Sequence, residues 1–169
     1  MLALVFTISS FWWLNARRGS LTAARPRTYA FATSAQLRLR LPLAFFNTGA
    51  KALIVGDLRV LLDDEPTRQP LEWITTRTAL RPEKEDGFAF ATPFSVAGRG
   101  TKEVIAEFGD DLGWAPRAGS QHRLRLQAAI HPQDRWVDMV RFDWWAPPKA
   151  AMGTYITHRN TPLISESVS

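Results

Sequence analysis

From Gln36 to Phe45 the chain reads QLRLRLPLAF, with leucine or phenylalanine at 37, 39, 41, 43 and 45 and arginine at 38 and 40. A period of two places all five apolar side chains on one face of an extended strand, whereas a helix would scatter them around its axis. The segment is therefore a strand with one face in a core and the other carrying arginines. Pro42 has no N–H to give to a ladder, so the strand needs a position beside residue 42 where no partner requires one.

The same period recurs along the chain. Strands are expected near 25 to 33, 36 to 47, 52 to 63, 71 to 78, 87 to 97, 101 to 109, 121 to 131 and 135 to 146. The links between them are turn-forming: Asn47-Thr48-Gly49, Asp63-Asp64-Glu65-Pro66, Gly98-Arg99-Gly100, Gly109-Asp110-Asp111-Leu112-Gly113 and His131-Pro132-Gln133-Asp134. Short strands with tight turns define an all-β fold, expected as a sandwich of two sheets. Its core is expected to combine Leu124, Leu126 and Ile130 with Val140, Phe142 and Trp144, and with Ile54, Leu58 and Val60. Alternation fails near Asp138 and Met139, where keeping Val140 and Phe142 inside would bury a carboxylate, so a bulge is expected there. On TKEVIAEF the core takes Val104, Ala106 and Phe108, which leaves Glu103 and Glu107 on the outer face, as Arg38 and Arg40 are on 36–47.

The 169 residues contain no cysteine, so disulfides and thiolate chemistry are excluded, and seven tryptophans supply bulk for a core. The net charge is +5, yet no acidic residue precedes Asp57. Leu2 to Leu14 (LALVFTISSFWWL) is uncharged, ends in aromatic Phe11, Trp12 and Trp13, and is followed by Arg17 and Arg18. Aromatic side chains beside arginine suit a membrane interface. At about 1.5 Å per residue the run covers roughly 20 Å, short of the ~30 Å of hydrocarbon. It is expected to be part of a single-pass anchor in the cell membrane whose upstream portion lies outside this chain, with the arginines holding the following domain on the cytoplasmic side; a buried or interfacial helix and a signal peptide are the alternatives. The organisation expected is an apolar helix over 1–18, a β domain over 19–147 and a mobile tail over 148–169.

No residue set for catalysis, a metal or a cofactor is assigned. His131 with Asp134, His122, His158, and the acidic groups Asp63-Asp64-Glu65 and Asp110-Asp111 have turn or strand explanations and lack ligand spacing. NTGAK reads as a corner in which the Asn47 amide mimics a turn and Gly49 takes a positive φ, with Lys51 able to meet an anion. Arg38, Arg40, Arg77, Arg81, Arg123 and Arg125 near Trp73 admit a nucleic-acid surface, but the acids interleaved with them disfavour it. A protein partner is expected instead, through strand edges or through Trp73, Trp114 and Lys51. The alternative is a carrier or sensor holding a small apolar ligand between the sheets.

The succession LPLAFFNTGAKALIVGDLRVLL, FSVAGRGTKEVIAEF and GSQHRLRLQAAIHPQDRWVDMVRFDWW resembles the bacterial immunoglobulin-like modules related to cell-adhesion domains. It is also similar to single-pass bacterial membrane proteins that carry such a module after an R-R-G segment. The resemblance spans Arg25 to Pro147 and implies an immunoglobulin-like sandwich of seven or eight strands, in which 36–47 pairs with 101–109 as second and fifth strands; the charges agree, since Glu103 and Glu107 would then face Arg38 and Arg40 across the ladder. It carries no catalytic or ligand residues, and the core cysteine pair of antibody domains is absent.

Overall fold

The computed structural model describes residues 2–15, 19–33, 37–81, 86–110, 116–132, 135–147 and 155–161. One helix, α1 (Leu2–Asn15), precedes β1 (Leu21–Ala23), β2 (Thr28–Thr33), β3 (Leu37–Asn47), β4 (Leu53–Leu62), β5 (Leu71–Arg77), β6 (Phe88–Phe90), β7 (Phe94–Val96), β8 (Thr101–Asp110), β9 (Gln121–His131), β10 (Arg135–Trp145) and β11 (Ile156–Arg159). The fold is all-β. The expected strand at 87–97 is broken at Ala91-Thr92-Pro93, and the expected mobile tail contributes β11, which pairs with β2 from Ile156↔Phe31 to Arg159↔Thr28.

The strands form one antiparallel sheet in the order β10-β9-β4-β5-β8-β3-β2-β11, with β1 added to β3, β6 to β5 and β7 to β4. Two separate sheets were the expectation; β5 joins them. Its first residues pair with β4 at Val60↔Leu71 and Arg59↔Glu72, and its length from Glu72 to Arg77 pairs with β8. A register shift between Trp73 and Thr75 bends it between these partners. The sheet therefore curls, and its two halves share one core that runs from Tyr29, Leu41, Phe45 and Phe108 to Val60, Leu126, Phe142 and Trp144.

The β3 ladder explains Pro42. β3 pairs along β8 from Leu37↔Asp110 to Phe46↔Thr101. Its other edge meets β2 only as far as Arg40 and β1 only from Phe45. The Ala44 carbonyl accepts from the Ala24 N–H on that second edge. Pro42 shares the parity of Ala44, so its nitrogen points into the gap between β1 and β2, where no donor is needed.

Bulges set which residues face the core. The expected one is present between Asp138 and Val140; it keeps Asp138 in solvent and seats Met139, with Phe142 and Trp144, inside. A second, between Val55 and Asp57, was not expected. It reverses the phase of β4 at Gly56, so that Val55 and not Ile54 joins Leu58, Val60 and Leu62, and Ile54 is left 43 % exposed.

The edges of the curled sheet are tied by Asn160, just after β11. Its side chain accepts from the Trp145 N–H at 3.1 Å and donates to the Asp143 carbonyl at 2.7 Å and the Pro26 carbonyl at 3.2 Å. One amide thus stands in for a strand along the end of β10. The Tyr29 hydroxyl reinforces the tie by donating to the Trp145 carbonyl.

At the NTG corner the Asn47 side chain is buried and accepts from the Gly49 N–H at 2.9 Å while donating to the Lys51 and Val96 carbonyls. Gly49 is needed for close approach and not for the positive φ expected of it; the positive-φ glycine described is Gly119. A Cβ on Gly19 would stand 1.8 Å from the Gly49 nitrogen, and one on Gly98 1.9 Å from the Ala50 carbonyl oxygen. Three chain segments meet there backbone to backbone. Gly98→Ala is expected to destabilise the domain by about 1–3 kcal/mol through this overlap, read as a lowered urea midpoint at unchanged slope.

Candidate functional site

Among the described residues, the most exposed large apolar side chains fall on two surfaces. The first is α1, on which Leu4, Val5, Phe6, Ile8, Phe11 and Trp12 are 56–75 % exposed. The apolar residues surround the helix, with no polar stripe facing water. At about 1.5 Å per residue its 14 residues reach about 21 Å. No helix among the described residues is long and apolar enough to cross a membrane. Trp13 belongs to α1, its side chain lying outside what is described, as do Arg17 and Arg18.

The second surface is on β6. Phe88 and Phe90 are 62 % and 78 % exposed, with rings edge to face at 6.4 Å. On a three-residue strand paired to β5 at Thr75↔Phe90 and Arg77↔Phe88, alternation puts both rings on one side. Beside them opens a groove of about 500 Å³ whose walls include Phe90, Pro93, Phe94, Val104 and Ile105, with Lys102 at its rim.

Beneath this edge lies a buried charged cluster. Arg40 and Glu107 are opposite one another in the β3–β8 ladder, as expected, but they do not face solvent: Arg40 is 2 % exposed and Glu107 equally covered. Arg40 Nε donates to Glu107 Oε2 at 2.6 Å, and its NH1 reaches Asp86 Oδ2 at 2.7 Å and the Ala79 carbonyl at 3.2 Å. Arg77 donates to Glu107 Oε1 at 3.0 Å, Thr75 to the same oxygen at 3.2 Å, and Tyr155 to Oε2 at 2.7 Å. The Arg40 guanidinium lies 4.3 Å over the Tyr155 ring, and that of Arg77 lies 5.2 Å from the Phe88 ring. Both arms of the β5–β6 connection, at Ala79 and Asp86, are thereby clamped to the sheet. Glu103 falls opposite Ala44 and meets neither Arg38 nor Arg40 in the ladder.

Burial pushes the Glu107 carboxyl up, but hydrogen bonds from Arg77, Tyr155 and Arg40, with the Arg40 charge, outweigh it and hold the group below its ordinary value. The Tyr155 hydroxyl is pushed up to about 12, by burial first and by Glu107 second. The cluster is therefore an ion-paired set in which Glu107 is held as a carboxylate. With both Glu107 oxygens occupied, it offers structure and not acid–base chemistry.

The tryptophan expected at the surface is not there. Trp73 is 6 % exposed, donates its indole N–H to the Thr75 carbonyl at 3.0 Å and packs edge-on against Phe94 at 6.1 Å. The reason is its position on the inner side of the bend in β5. Trp114 lies outside the described residues. Lys51 is exposed at the NTG corner. Of the six arginines considered for nucleic acid, four are engaged with acids: Arg40 and Arg77 in the cluster, Arg123 with Asp143 at 3.4 Å, and Arg125 with Asp63 at 2.7 Å; Arg38 donates to the Leu37 carbonyl and Arg81 is exposed.

One Ser–His contact is present, Ser120 Oγ to His122 Nε2 at 2.9 Å. The serine's single proton goes to the Arg117 carbonyl at 2.5 Å. Its oxygen is left to accept from the imidazole, which is the reverse of what an activated nucleophile requires.

No protein-family model and no curated protein matches the chain. Among solved structures, similarity is found to a FixG-related protein from Vibrio parahaemolyticus (TM-score 0.42, 10 % identity, 77 % of this chain and 97 % of that one). It is found also to the ApaA protein from Bordetella pertussis (TM-score 0.40, 14 % identity, 79 % and 98 %). A lipoprotein, YcdA, from Bacillus subtilis is similar over 75 % of this chain and 36 % of its own (TM-score 0.39, 16 % identity). Likeness at this level assigns no function to the present chain.

Proposed function

We propose that this chain is a membrane-attached, non-enzymatic β module that binds a protein partner through the Phe88–Phe90 edge. The observation that carries the proposal is the uncovered apolar surface in these two places, since apolar side chains left together in water mark contact with lipid or protein. α1 inserts into the bilayer to a depth of about 21 Å; in company with further apolar residues it would complete a single-pass anchor. The exposed Arg25 and Arg27 that follow are cations of the kind that hold a domain on the cytoplasmic side.

The body is an immunoglobulin-like sandwich in which β5 bridges the two layers. Support comes from the order β10-β9-β4 on one side and β8-β3-β2 on the other, and from the central β3–β8 pairing, which matches that of the second and fifth strands of such modules.

A short edge strand with two phenyl rings beside a groove suits a partner that inserts apolar side chains. Phe88→Ser with Phe90→Ser is expected to abolish recovery of partners that co-purify with the detergent-extracted wild-type chain, while the melting temperature stays unchanged. Recovery of the same partners by the double variant would contradict the proposal. A second reading, a carrier of a small apolar ligand, is favoured by the groove itself, whose volume lies in the range of about 300–1,000 Å³ typical of ligand pockets. A small molecule co-purifying with the wild-type chain and lost from a Val104→Trp variant would favour that reading.

A further inference from the structure

We infer that the end of the β body from which α1 emerges is itself a docking surface for the anionic lipid headgroups of the membrane that α1 enters. The inference rests on the membrane attachment proposed above and adds a lipid preference and a fixed orientation to it.

The register identifies that end. Chain leaving α1 reaches the body at Gly19, which packs on Gly49, and Ser20 and Thr48 exchange backbone and side-chain hydrogen bonds at 3.0–3.1 Å. On the same end lie the close of β3, the start of β4, the start of β8 (Lys102 beside Phe45), the close of β9 (His131 beside Ile54) and the start of β10 (Arg135 beside Ile130). Its exposed cations are Lys51, Arg99, Lys102 and Arg135, and its exposed apolar side chains are Phe46 and Ile54. Among the described residues the nearest exposed acids are Glu103 and, further along β4, Asp57; Asp134, which precedes Arg135, lies outside them.

On β9 and β10 the arginines are paired with acids: Arg123 with Asp143, Arg125 with Asp63 and Asp138, Arg141 with Asp138 and Asp63. Exposed cations outside any described ion pair also occur singly or in twos elsewhere, at Arg25, Arg27, Arg81, Arg117 and Arg159; what distinguishes this end is that such cations gather beside exposed apolar side chains at the exit of α1. Among the described residues, no ion pair involves Lys51, Lys102 or Arg135. Uncompensated cations with a few apolar side chains, next to the exit of an apolar helix, match a surface of negative headgroups over hydrocarbon. The occupant is thus fixed by charge and by continuity with α1. Each cation held at such a surface strengthens binding by about fivefold, and the gain is lost at high salt.

Flotation of the full chain with vesicles tests this. The wild type is expected to float with phosphatidylcholine vesicles and to bind about tenfold or more tightly when phosphatidylserine is added at low salt. Lys51→Glu with Lys102→Glu is expected to remove most of that increment and to leave binding to the neutral vesicles unchanged. The same change of charge at the other end, Arg117→Glu with Arg123→Glu, is expected to leave the increment in place. Equal losses from both pairs would reduce the effect to net charge and overturn the inference. Flotation with no increment from phosphatidylserine would overturn it too, while leaving membrane attachment standing. Failure to float with either vesicle would remove the attachment and the inference together. All four substituted side chains are exposed, so an unchanged melting curve shows that a loss comes from the surface.

Discussion

Glu107→Ala is expected to lower the stability of the β body by about 3–5 kcal/mol, a large share of the ~5–15 kcal/mol available to a domain of this kind. The size follows from what the carboxylate leaves behind. Arg40 stays buried with Asp86 as its remaining acid among the described residues, and Arg77, Thr75 and Tyr155 lose the carboxylate they donate to. Replacing both charges, Arg40→Met with Glu107→Leu, is expected to cost less than Glu107→Ala alone, because no unpaired charge remains. A urea titration of the three variants checks this order.

The same group gives an acid dependence. The Glu107 carboxyl is depressed in the folded state relative to its ordinary 4.5, so its contribution is present above pH 4.5 and is lost as the pH falls through the lower folded value. In Glu107→Ala that part of the acid sensitivity disappears. The cluster also clamps Asp86, two residues before Phe88. Hydrogen exchange across 86–90 is therefore expected to quicken in Glu107→Ala even where the rest of the body stays folded, and partner binding through Phe88 and Phe90 to weaken with it. Unchanged exchange there would separate the cluster from the edge it is argued to hold.

The second large effect concerns α1. An aspartate at the centre of a helix in lipid costs about 2.5–3.5 kcal/mol, so Phe6→Asp is expected to reduce vesicle binding about a hundredfold. The melting temperature of the body is expected to stay where it was, because Phe6 is 75 % exposed and supports no packing. Loss of body stability with retained flotation would mean that α1 serves the fold and not the membrane.

The sequence made the strands legible wherever alternation was long. Leu37 to Phe45 and Val104 to Phe108 fall on the core face as their period requires, and the pairing of β3 with β8, expected from the strand order of the resembled modules and in accord with the charges of Arg40 and Glu107, is present. What alternation cannot show is a cover on the outer face. Arg40 is buried by Asp86 and Tyr155, 46 and 115 positions further along, and no local pattern announces either. Nor does period two survive a bulge, which is why Ile54 was placed inside when the register shift beside Gly56 turns it out. The four residues of β11, ITHR, are too few and too polar to stand out from a tail rich in proline and serine. Phe88 and Phe90 did carry a signal: a Phe-Ala-Phe alternation stopped by Thr92-Pro93 marks a short edge strand, and a short edge strand cannot bury two phenyl rings. Trp73 misled because tryptophan is as much at home in a core as at an interface.

Amide hydrogen exchange on the full chain, with and without phosphatidylcholine vesicles, tests most directly whether α1 belongs in lipid. A helix of 14 residues whose apolar side chains at 4, 5, 6, 8, 11 and 12 are largely exposed is marginal in water, so amides 4–12 are expected to exchange fast in buffer and slowly with vesicles, while β3 and β8 exchange equally slowly in both. Identical rates over 4–12 in the two conditions would contradict the account.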